Sequence, residues 1–455
     1  MGSMANSEAT NRDRIRELPD EHVLHIISLL PTVDAVRTTV LSKKWNRRWT
    51  KFETLDFDNR RDFRRHTNLS TFVTFVSRVL YYRDATPILL FRLKMSRCRY
   101  LPCVGHWIQA AVRRGVVELD LHLDFNNWAD FKLPLCIFGC KTLEVLKLTL
   151  RPWTVEGEIP SLGRFPKLRF LHVKMFDPEK NEMEKLLSHF PVLEELTIDG
   201  TSKAEIIYGS TTSNFLFSAP KLKTLKIGLE GLHEPIDIHV CAPELENINL
   251  QRLGLTKCFL DGSTDSLVTA SITFREYVEE YKEEYDGYTM ELLKQVSDVK
   301  CLSVSAHHLK DLYLPENWLL PSFGNVNQLT LVFGDHSCWE LLAQFLNNAC
   351  NLEVLVLDDT SERTEDDEEI HWNPPEEVSG SLSPNLKTIV LKGFKGRRCE
   401  MRMIKYLLKI GQLLNKMTIS PGRHLSYNEQ NEFYTEFMMF NRAETCHIEF
   451  MQMQV

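Results

Sequence analysis

The 455-residue chain lacks an apolar run of about 18 residues and an apolar core near its start, so we expect neither a membrane-spanning helix nor a secretory signal. Its 11 cysteines are odd in number and include no Cys-x-x-Cys pair, which argues against a disulfide framework. Reduced thiols indicate a protein of the cytoplasm, the nucleus or both. The net charge of -8 argues against nucleic acid as a partner, because phosphate binding needs a basic face.

Enzyme motifs are also missing from the sequence. It contains no Gly-x-x-x-x-Gly-Lys phosphate loop, no Gly-x-Ser-x-Gly elbow and no His-Glu-x-x-His helix. Cys136 with Cys140, and His307 with His308, have the residue types of a metal site, but neither has a second pair at ligand spacing, which favours buried thiols and ordinary polar side chains. We therefore expect no catalytic residues, no metal and no cofactor.

One amphipathic stretch lies near the start of the chain. Its apolar residues fall at i, i+3, i+4 and i+7, as Val23, Ile26, Ile27 and Leu30. This spacing predicts a helix from about Asp20 to Leu30 with one apolar face, and Pro31 cannot continue it.

Two further short helices are predicted after Pro31. Ala35, Val36, Val40 and Leu41 form the apolar side of the second, and Trp45 and Trp49 are at i and i+4 on the third. Three helices of this size leave apolar surface uncovered. We expect Ile27 and Trp45 in the core of this module and the surplus apolar surface to dock on another protein.

From Phe52 onward an apolar-x-x-apolar-x-apolar unit recurs at the spacing of leucine-rich repeats. Alternation at the end of each unit predicts a short strand, and stacked units predict a parallel sheet on a concave face. The clearest units are Leu143-x-x-Leu146-x-Leu148, Leu168-x-x-Leu171-x-Val173, Leu193-x-x-Leu196-x-Ile198, Leu222-x-x-Leu225-x-Ile227, Leu245-x-x-Ile248-x-Leu250, Leu352-x-x-Leu355-x-Leu357 and Leu386-x-x-Ile389-x-Leu391. Weaker units begin at Phe52, Val116, Leu267, Val299, Val326 and Leu414.

The repeats are predicted to be irregular. The Asn that often follows the strand in such repeats is replaced by Arg151, Phe176, Thr201 and Glu230. Helical returns are predicted where an apolar stripe occurs between strands, from Met183 to Phe190 and from Trp339 to Leu346.

Two acidic stretches interrupt the repeats. Arg275 to Gln295 is rich in Glu and Tyr and predicts an exposed acidic helix or loop, and Glu362 to Glu377 predicts a disordered acidic insertion. After Leu386 the pattern predicts a strand, a glycine turn, an amphipathic helix and a final strand ending near Ile419.

Leu18-Pro19, the amphipathic helix and Trp45 resemble the F-box of plant F-box proteins, apart from His22, where that family usually has an aliphatic residue. The segment from Leu386 to Ile419 resembles the FBD module. The resemblance implies an α/β fold in which a small three-helix F-box precedes an irregular leucine-rich-repeat solenoid capped by an FBD module. We expect a flexible tail at 1–12, the F-box at 13–53, the solenoid at 54–375 and the FBD cap at 376–455.

The resemblance also implies a function, that of the non-catalytic substrate-recognition subunit of an SCF-type ubiquitin ligase. The F-box would bind a Skp-type adaptor, and through it the cullin and RING subunits, while the repeats bind a target protein. Two alternatives stay open, a receptor with a small-molecule pocket in the repeats and a ligase-independent scaffold. The residues implied in adaptor binding are Leu18, Pro19, Ile26, Leu29, Leu30, Pro31, Val36 and Leu41.

Target-binding side chains are expected where the strands of the repeats point away from the core. They are Lys147, Thr149, His172, Lys174, Thr197, Asp199, Lys226, Asn249 and Gln251. A basic segment between Lys43 and Arg65 could be a nucleic-acid arm, but its interleaved tryptophans favour a solvated face complementary to an acidic partner.

Overall fold

The computed structural model describes residues 18–41, 43, 45–62, 69–98, 102–125, 132–151, 154–155, 165–176, 190–201, 213–230, 236–253, 256–262, 264–274, 282–305, 320–333, 339–360, 385–422 and 425–451. The chain forms two compact units, Met1–Pro178 and Glu179–Val455. No helix among the described residues is long and apolar enough to cross a membrane.

The first unit begins with the predicted helices. Helix α1 spans Asp20–Ser28 and α2 spans Thr32–Arg37, followed by a 3-10 turn at Thr38–Val40. The third predicted helix is instead a turn followed by a short 3-10 helix, Arg48–Lys51, because Arg47 has a left-handed backbone with φ of 59°.

A parallel sheet makes up most of the first unit. Its strands, in spatial order β1, β2, β3, β5 and β7, place the apolar repeat residues in adjacent register, so that Leu119, Leu146 and Leu171 align and are buried. β4 pairs separately with β6. The elements in chain order are β1 (Thr54–Asp58), α3 (Asn59–Asp62), α4 (Leu69–Tyr82), β2 (Leu90–Cys98), α5 (Cys103–Arg113), β3 (Glu118–Phe125), β4 (Lys132–Leu133), β5 (Val145–Arg151), β6 (Thr154–Val155) and β7 (Phe170–Phe176).

The second unit continues the same construction with ten parallel strands among its described residues. Their spatial order is β8, β10, β12, β14, then β15 to β20 in sequence. The elements in chain order are β8 (Glu195–Thr201), β9 (Ser213–Ser218), β10 (Thr224–Glu230), β11 (Ile236–Cys241), β12 (Asn247–Leu253), β13 (Thr256–Phe259), β14 (Thr269–Phe274), α6 (Lys282–Gln295), β15 (Cys301–Ser305), β16 (Gln328–Phe333), α7 (Trp339–Asn348), β17 (Val354–Asp359), β18 (Thr388–Phe394), α8 (Arg398–Ile410), β19 (Lys416–Pro421), α9 (Tyr427–Met438) and β20 (His447–Phe450).

The α/β class and the repeat strands are confirmed, since all thirteen predicted units coincide with strands whose inward side chains are buried. Two strands of the main sheets were not predicted from the sequence. On β2 the unit is Ile88-x-x-Phe91-x-Leu93, where aromatic and β-branched residues replace leucines, and β20 follows the last predicted strand. The sequence analysis also missed the three-stranded sheet of β9, β11 and β13, which lies in the segments between repeat strands.

Polar residues just before the repeat strands tie successive repeats together. The Thr142 hydroxyl donates to the Val116 carbonyl (2.8 Å), the Ser266 hydroxyl to the Leu245 carbonyl (3.0 Å), and the Asn351 amide to the Gly324 carbonyl (2.7 Å). These bonds satisfy buried or half-buried carbonyls at the turns.

Helix α6 confirms a helix in the predicted acidic segment, but its residues Asp286 and Thr289 are buried rather than exposed. Residues 275–281 of that segment lie outside the described residues. The Gln295 side chain accepts from the Leu260 N–H (2.8 Å) and donates to the Cys258 carbonyl (3.0 Å) at the end of β13. The helix thus covers the edge of the three-stranded sheet. The acidic composition of the segment does not show that it packs there.

Two other predictions lie outside the described residues, the helical return from Met183 to 189 and the insertion from Glu362 to Glu377. The second predicted return is confirmed as α7, on which Leu342, Phe345 and Leu346 are buried.

The predicted strand, glycine turn, helix and strand near the C-terminus are β18, Gly393, α8 and β19. Gly393 has a positive φ of 72°, and a Cβ there would lie 2.1 Å from the Asp359 carbonyl oxygen, so only glycine fits. Beside this turn the Lys395 ammonium pairs with the Asp359 carboxylate at 2.7 Å, both buried.

Glu400 completes this buried polar cluster. Its carboxylate accepts the backbone N–H groups of Lys395 (3.1 Å) and Arg397 (2.8 Å). Burial is the main cause that raises the pKa of Glu400 from its ordinary value of 4.5 to about 7.

Candidate docking surfaces

The helices at the start of the first unit carry an exposed apolar surface, here called the ridge, formed by Ile26, Leu29, Val40 and Leu41. The exposed fractions of these residues are 38%, 72%, 87% and 49%. Several large aliphatic side chains exposed on one small folded module are typical of an interaction surface.

The core under the ridge is filled by other residues. Val23, Ile27 and Ala35 are fully buried, and Trp45 and Trp49 are nearly so. The predicted burial of Ile27 and Trp45 is confirmed, and Ile26 separates from Ile27 because successive helical residues point about 100° apart. The core of the module is therefore filled without the ridge residues.

The predicted adaptor-binding residues fall into two groups. Pro19, Ile26, Leu29 and Leu41 are exposed, whereas Leu18, Leu30, Pro31 and Val36 are half-buried. Val40, the most exposed ridge residue, was predicted on the apolar side of the second helix but was not among the predicted contacts. The 3-10 turn at Thr38–Val40 rotates it outward.

An open cleft of about 570 Å³ adjoins the ridge in the same unit. The end of α1 and the residues after it form one wall, including Leu29, Leu30 and Pro31, and β1 and β2 supply Asp56 and Arg92 on the other. Half-buried apolar residues of the predicted set are therefore accessible from this cleft.

Hydrogen bonds fix the helices to the first strand. The buried Thr32 hydroxyl accepts the Asp56 N–H at 2.7 Å, and the Thr50 hydroxyl donates to the Asp84 carboxylate at 3.0 Å. The buried Arg83 guanidinium donates to the Phe52 carbonyl, and burial, followed by repulsion from Arg114, lowers the pKa of Arg83 to about 10.

Part of the basic segment after the ridge is engaged in ion pairs. Arg48 pairs with Asp20 (2.7 Å), and Arg61 pairs with Asp56 (2.9 Å) and Asp62 (2.8 Å). These pairs fit the solvated face that the sequence analysis favoured over a nucleic-acid arm.

The outward face of the first unit's sheet carries alternating charges. Arg92 bridges to Asp120 (2.8 Å), and Lys147 bridges to Glu118 (2.9 Å) while lying over the Phe170 ring. Burial is the main cause that lowers the pKa of His122 on the same face. The predicted residues Lys147 and His172 are neighbours in register, as are Thr149 and Lys174.

The outward face of β8, β10 and β12 in the second unit is more neutral. Thr197, Lys226 and Asn249 form one row across β8, β10 and β12, and Asp199, Gly228 and Gln251 form the next. A Cβ at Gly228 would lie 3.3 Å from an Asp199 carboxylate oxygen, so the glycine leaves room between its two polar neighbours. All nine predicted target-binding residues lie on outward positions and are half-buried or exposed.

The predicted fragments of metal sites do not come together in the part of the chain that the structure describes. Cys136 is half-buried, and the Cys140 thiol donates to the Val116 carbonyl at 3.8 Å. His307 and His308 lie outside the described residues. Within the described ranges no group of three or more His, Cys, Asp or Glu side chains is placed to hold a metal ion.

Comparison with protein families gives three matches along the chain. The F-box domain matches residues 15–56, the leucine-rich repeats of FBD-associated F-box protein At5g56370 match residues 104–258, and the FBD matches residues 373–419.

Similar whole proteins come from Arabidopsis thaliana. F-box/LRR-repeat protein At4g14103 is 32% identical over 365 residues, covering 76% of this chain and 91% of the relative. FBD-associated F-box protein At5g56370 is 28% identical over 418 residues, covering 90% and 91%. F-box/FBD/LRR-repeat protein At3g52680 is 30% identical over 425 residues, covering 90% and 86%.

Proposed function

Because the chain belongs to the F-box/FBD/LRR-repeat family of plant proteins, we propose that it is the subunit of an SCF-type ubiquitin ligase that selects the target. Proteins of this family are in general substrate-recognition adaptors of SCF ubiquitin ligases and are typically not enzymes. In this proposal the N-terminal helices bind a Skp-type adaptor, and the outward sheet faces bind a target protein.

The observation that carries the proposal is the exposed ridge over a filled core. Ile26, Leu29, Val40 and Leu41 stay in water although the module has its own apolar interior. Burying such side chains against a partner stabilises the complex by about 1.5 to 3 kcal/mol for each full side chain, whereas exposed ion pairs contribute about 0 to 1 kcal/mol. The ridge, rather than the basic segment, would therefore supply most of the affinity for the adaptor.

Catalysis in such a complex comes from positioning. A target held on the sheet and a ubiquitin carried by a partner subunit react within one complex, which raises their effective concentration. The bonds of Thr32 and Thr50 support this role, since they attach the docking helices to β1 and to the residues after α4 within the first unit. The chain itself would transfer nothing.

Target selection would use the outward sheet faces. The first unit offers paired charges, including Lys147 and Glu118, and the second offers neutral and singly charged side chains such as Asn249 and Lys226. Polar and charged groups at an interface contribute specificity more than raw affinity. The target would therefore be recognised by the pattern of groups across several strands.

The test is reconstitution with a plant Skp-type adaptor, a cullin and a RING subunit. The intact chain is expected to bind the adaptor and recruit the cullin, and a Leu18→Ala/Pro19→Ala double variant is expected to lose both while its thermal unfolding is unchanged. The matched control is Leu413→Ala, which changes an exposed leucine of the second unit. Adaptor binding that persists in the double variant contradicts the proposal.

The two alternatives make different predictions in the same assay. A ligase-independent scaffold would bind the adaptor without recruiting the cullin. A small-molecule receptor would capture its target only when a ligand is added, and the cleft next to the ridge is lined by none of the nine predicted target-binding residues.

A further inference from the structure

The sheet of the second unit ends in a strand with unpaired backbone groups. β20 pairs with β19 on one side, where the His447 N–H donates to the Asn415 carbonyl (2.9 Å) and the Met451 N–H donates to the Ile419 carbonyl (2.8 Å). Successive residues of a strand direct their backbone groups to opposite edges, so those of Ile448 and Phe450 point away from β19. Among the described residues these outward N–H and C=O groups have no hydrogen-bond partner.

The first strand of the other unit shows how such an edge is normally satisfied. On β1 the outward N–H of Asp56 donates to the Thr32 hydroxyl (2.7 Å), and that of Asp58 donates to the Asp62 carboxylate (2.9 Å). Side chains thus occupy two donors of this edge and hinder the addition of another strand. The β20 edge has no comparable protection within the described part of the chain.

A cleft of about 310 Å³ lies directly against the β20 edge. Helix α9 forms its other wall through Gln430, Asn431 and Tyr434. Phe437 is buried against the Phe394 ring (5.4 Å between centroids), which fixes α9 at this place. The cleft therefore has one wall of backbone hydrogen-bonding groups and one wall of side chains.

The groups that line the cleft indicate which kind of ligand it can bind. Gln430, Asn431 and Tyr434 carry no charge, and the Glu449 carboxylate on β20 is paired with the Lys416 ammonium at 2.6 Å. Unpaired N–H and C=O groups that alternate along an edge can form hydrogen bonds with the backbone of an extended peptide, which presents the same groups at the same spacing. The neutral wall fits uncharged side chains on that chain.

We propose that the β20 edge binds an extended, uncharged peptide segment of a partner protein, which adds to the sheet as a further strand. Backbone hydrogen bonds to Ile448 and Phe450 hold the segment, and its side chains contact Tyr434 and the two amides of α9. This surface uses none of the ridge residues and none of the predicted target-binding residues, and it does not depend on the proposed function.

The probe is a fluorescein-labelled peptide, Lys-Thr-Val-Tyr-Val-Thr-Lys, whose two lysines only maintain its solubility, tested against the full-length chain by fluorescence anisotropy. Its matched control has the same sequence with every interior amide N-methylated, which removes the donors and leaves the side chains. We expect the N-methylated peptide to bind at least about tenfold more weakly. Equal binding of the two peptides, or no binding of the first, overturns the proposal.

A protein variant tests the side-chain wall separately. Tyr434→Ala is expected to weaken binding about fivefold or more, whereas Tyr81→Ala, which removes an exposed tyrosine of the first unit, leaves it unchanged. Hydrogen exchange over residues 446–451 is expected to slow when the unmodified peptide is added. Unchanged exchange there, or a dimer of the chain formed through β20 in sedimentation, refutes a peptide site at this edge.

Discussion

The ridge allows a quantitative prediction for adaptor binding. Leu29 and Leu41 are 72% and 49% exposed, and complete burial of a leucine side chain contributes about 1.5 to 3 kcal/mol. Covering the exposed parts would contribute about 1 to 2 kcal/mol from Leu29 and about 0.7 to 1.5 kcal/mol from Leu41. A Leu29→Ala/Leu41→Ala double variant is therefore expected to bind the adaptor about 20 to 400 times more weakly.

The assay is calorimetric titration of the purified chain with the adaptor, combined with urea unfolding of each variant. The double variant should unfold within about 0.5 kcal/mol of the intact chain, because both side chains face water. Ile27→Ala provides the opposite control, because truncating this buried side chain should lower the free energy of unfolding by about 2 to 5 kcal/mol. A double variant that binds the adaptor as tightly as the intact chain would refute the assignment of the ridge.

Three further predictions concern the framework of the two units. Thr32→Val leaves the Asp56 N–H without its partner and should lower the free energy of unfolding by about 1 to 3 kcal/mol in urea titration; an unchanged value would mean that water replaces the hydroxyl. Gly393→Ala places a Cβ against the Asp359 carbonyl oxygen at a positive φ and should cost at least about 2 kcal/mol, measured in the same way. Because the pKa of Glu400 is raised to about 7, the folded state favours the protonated carboxyl, and stability should fall by about 3 kcal/mol as the pH rises from 4.5 to 7. Glu400→Gln should remove that part of the pH dependence, and an unchanged pH profile would contradict the raised pKa.

The helices at the start of the chain illustrate what periodicity can predict. The spacing of Val23 and Ile27 placed α1 correctly and identified a buried side. The same reasoning failed for the third helix, because the left-handed backbone at Arg47 is not signalled by any apolar spacing. It also did not select Val40 as a contact, although this residue of the 3-10 turn is the most exposed of the ridge.

Only some features of the candidate sites could be predicted from the sequence. Alternation along the strands was enough to find outward positions such as Lys226 and Asn249, because a strand has only two faces. It could not show which of them share a row, since Asn249 and Thr197 are neighbours only through the register of β8, β10 and β12. The unpaired edge of β20 was beyond prediction, because an edge is defined by the absence of a neighbouring strand.

The sequence by itself determined the repeat strands, the buried side of each and the two terminal modules, because these follow from local spacing and from motifs a few residues long. Only the tertiary structure decided that α6 covers the edge of β13, that Gly393 must accommodate the Asp359 carbonyl, and that the ridge stays exposed over a filled core. Each of these depends on residues brought together from distant parts of the chain. The periodicity of one segment contains no information about what packs against it.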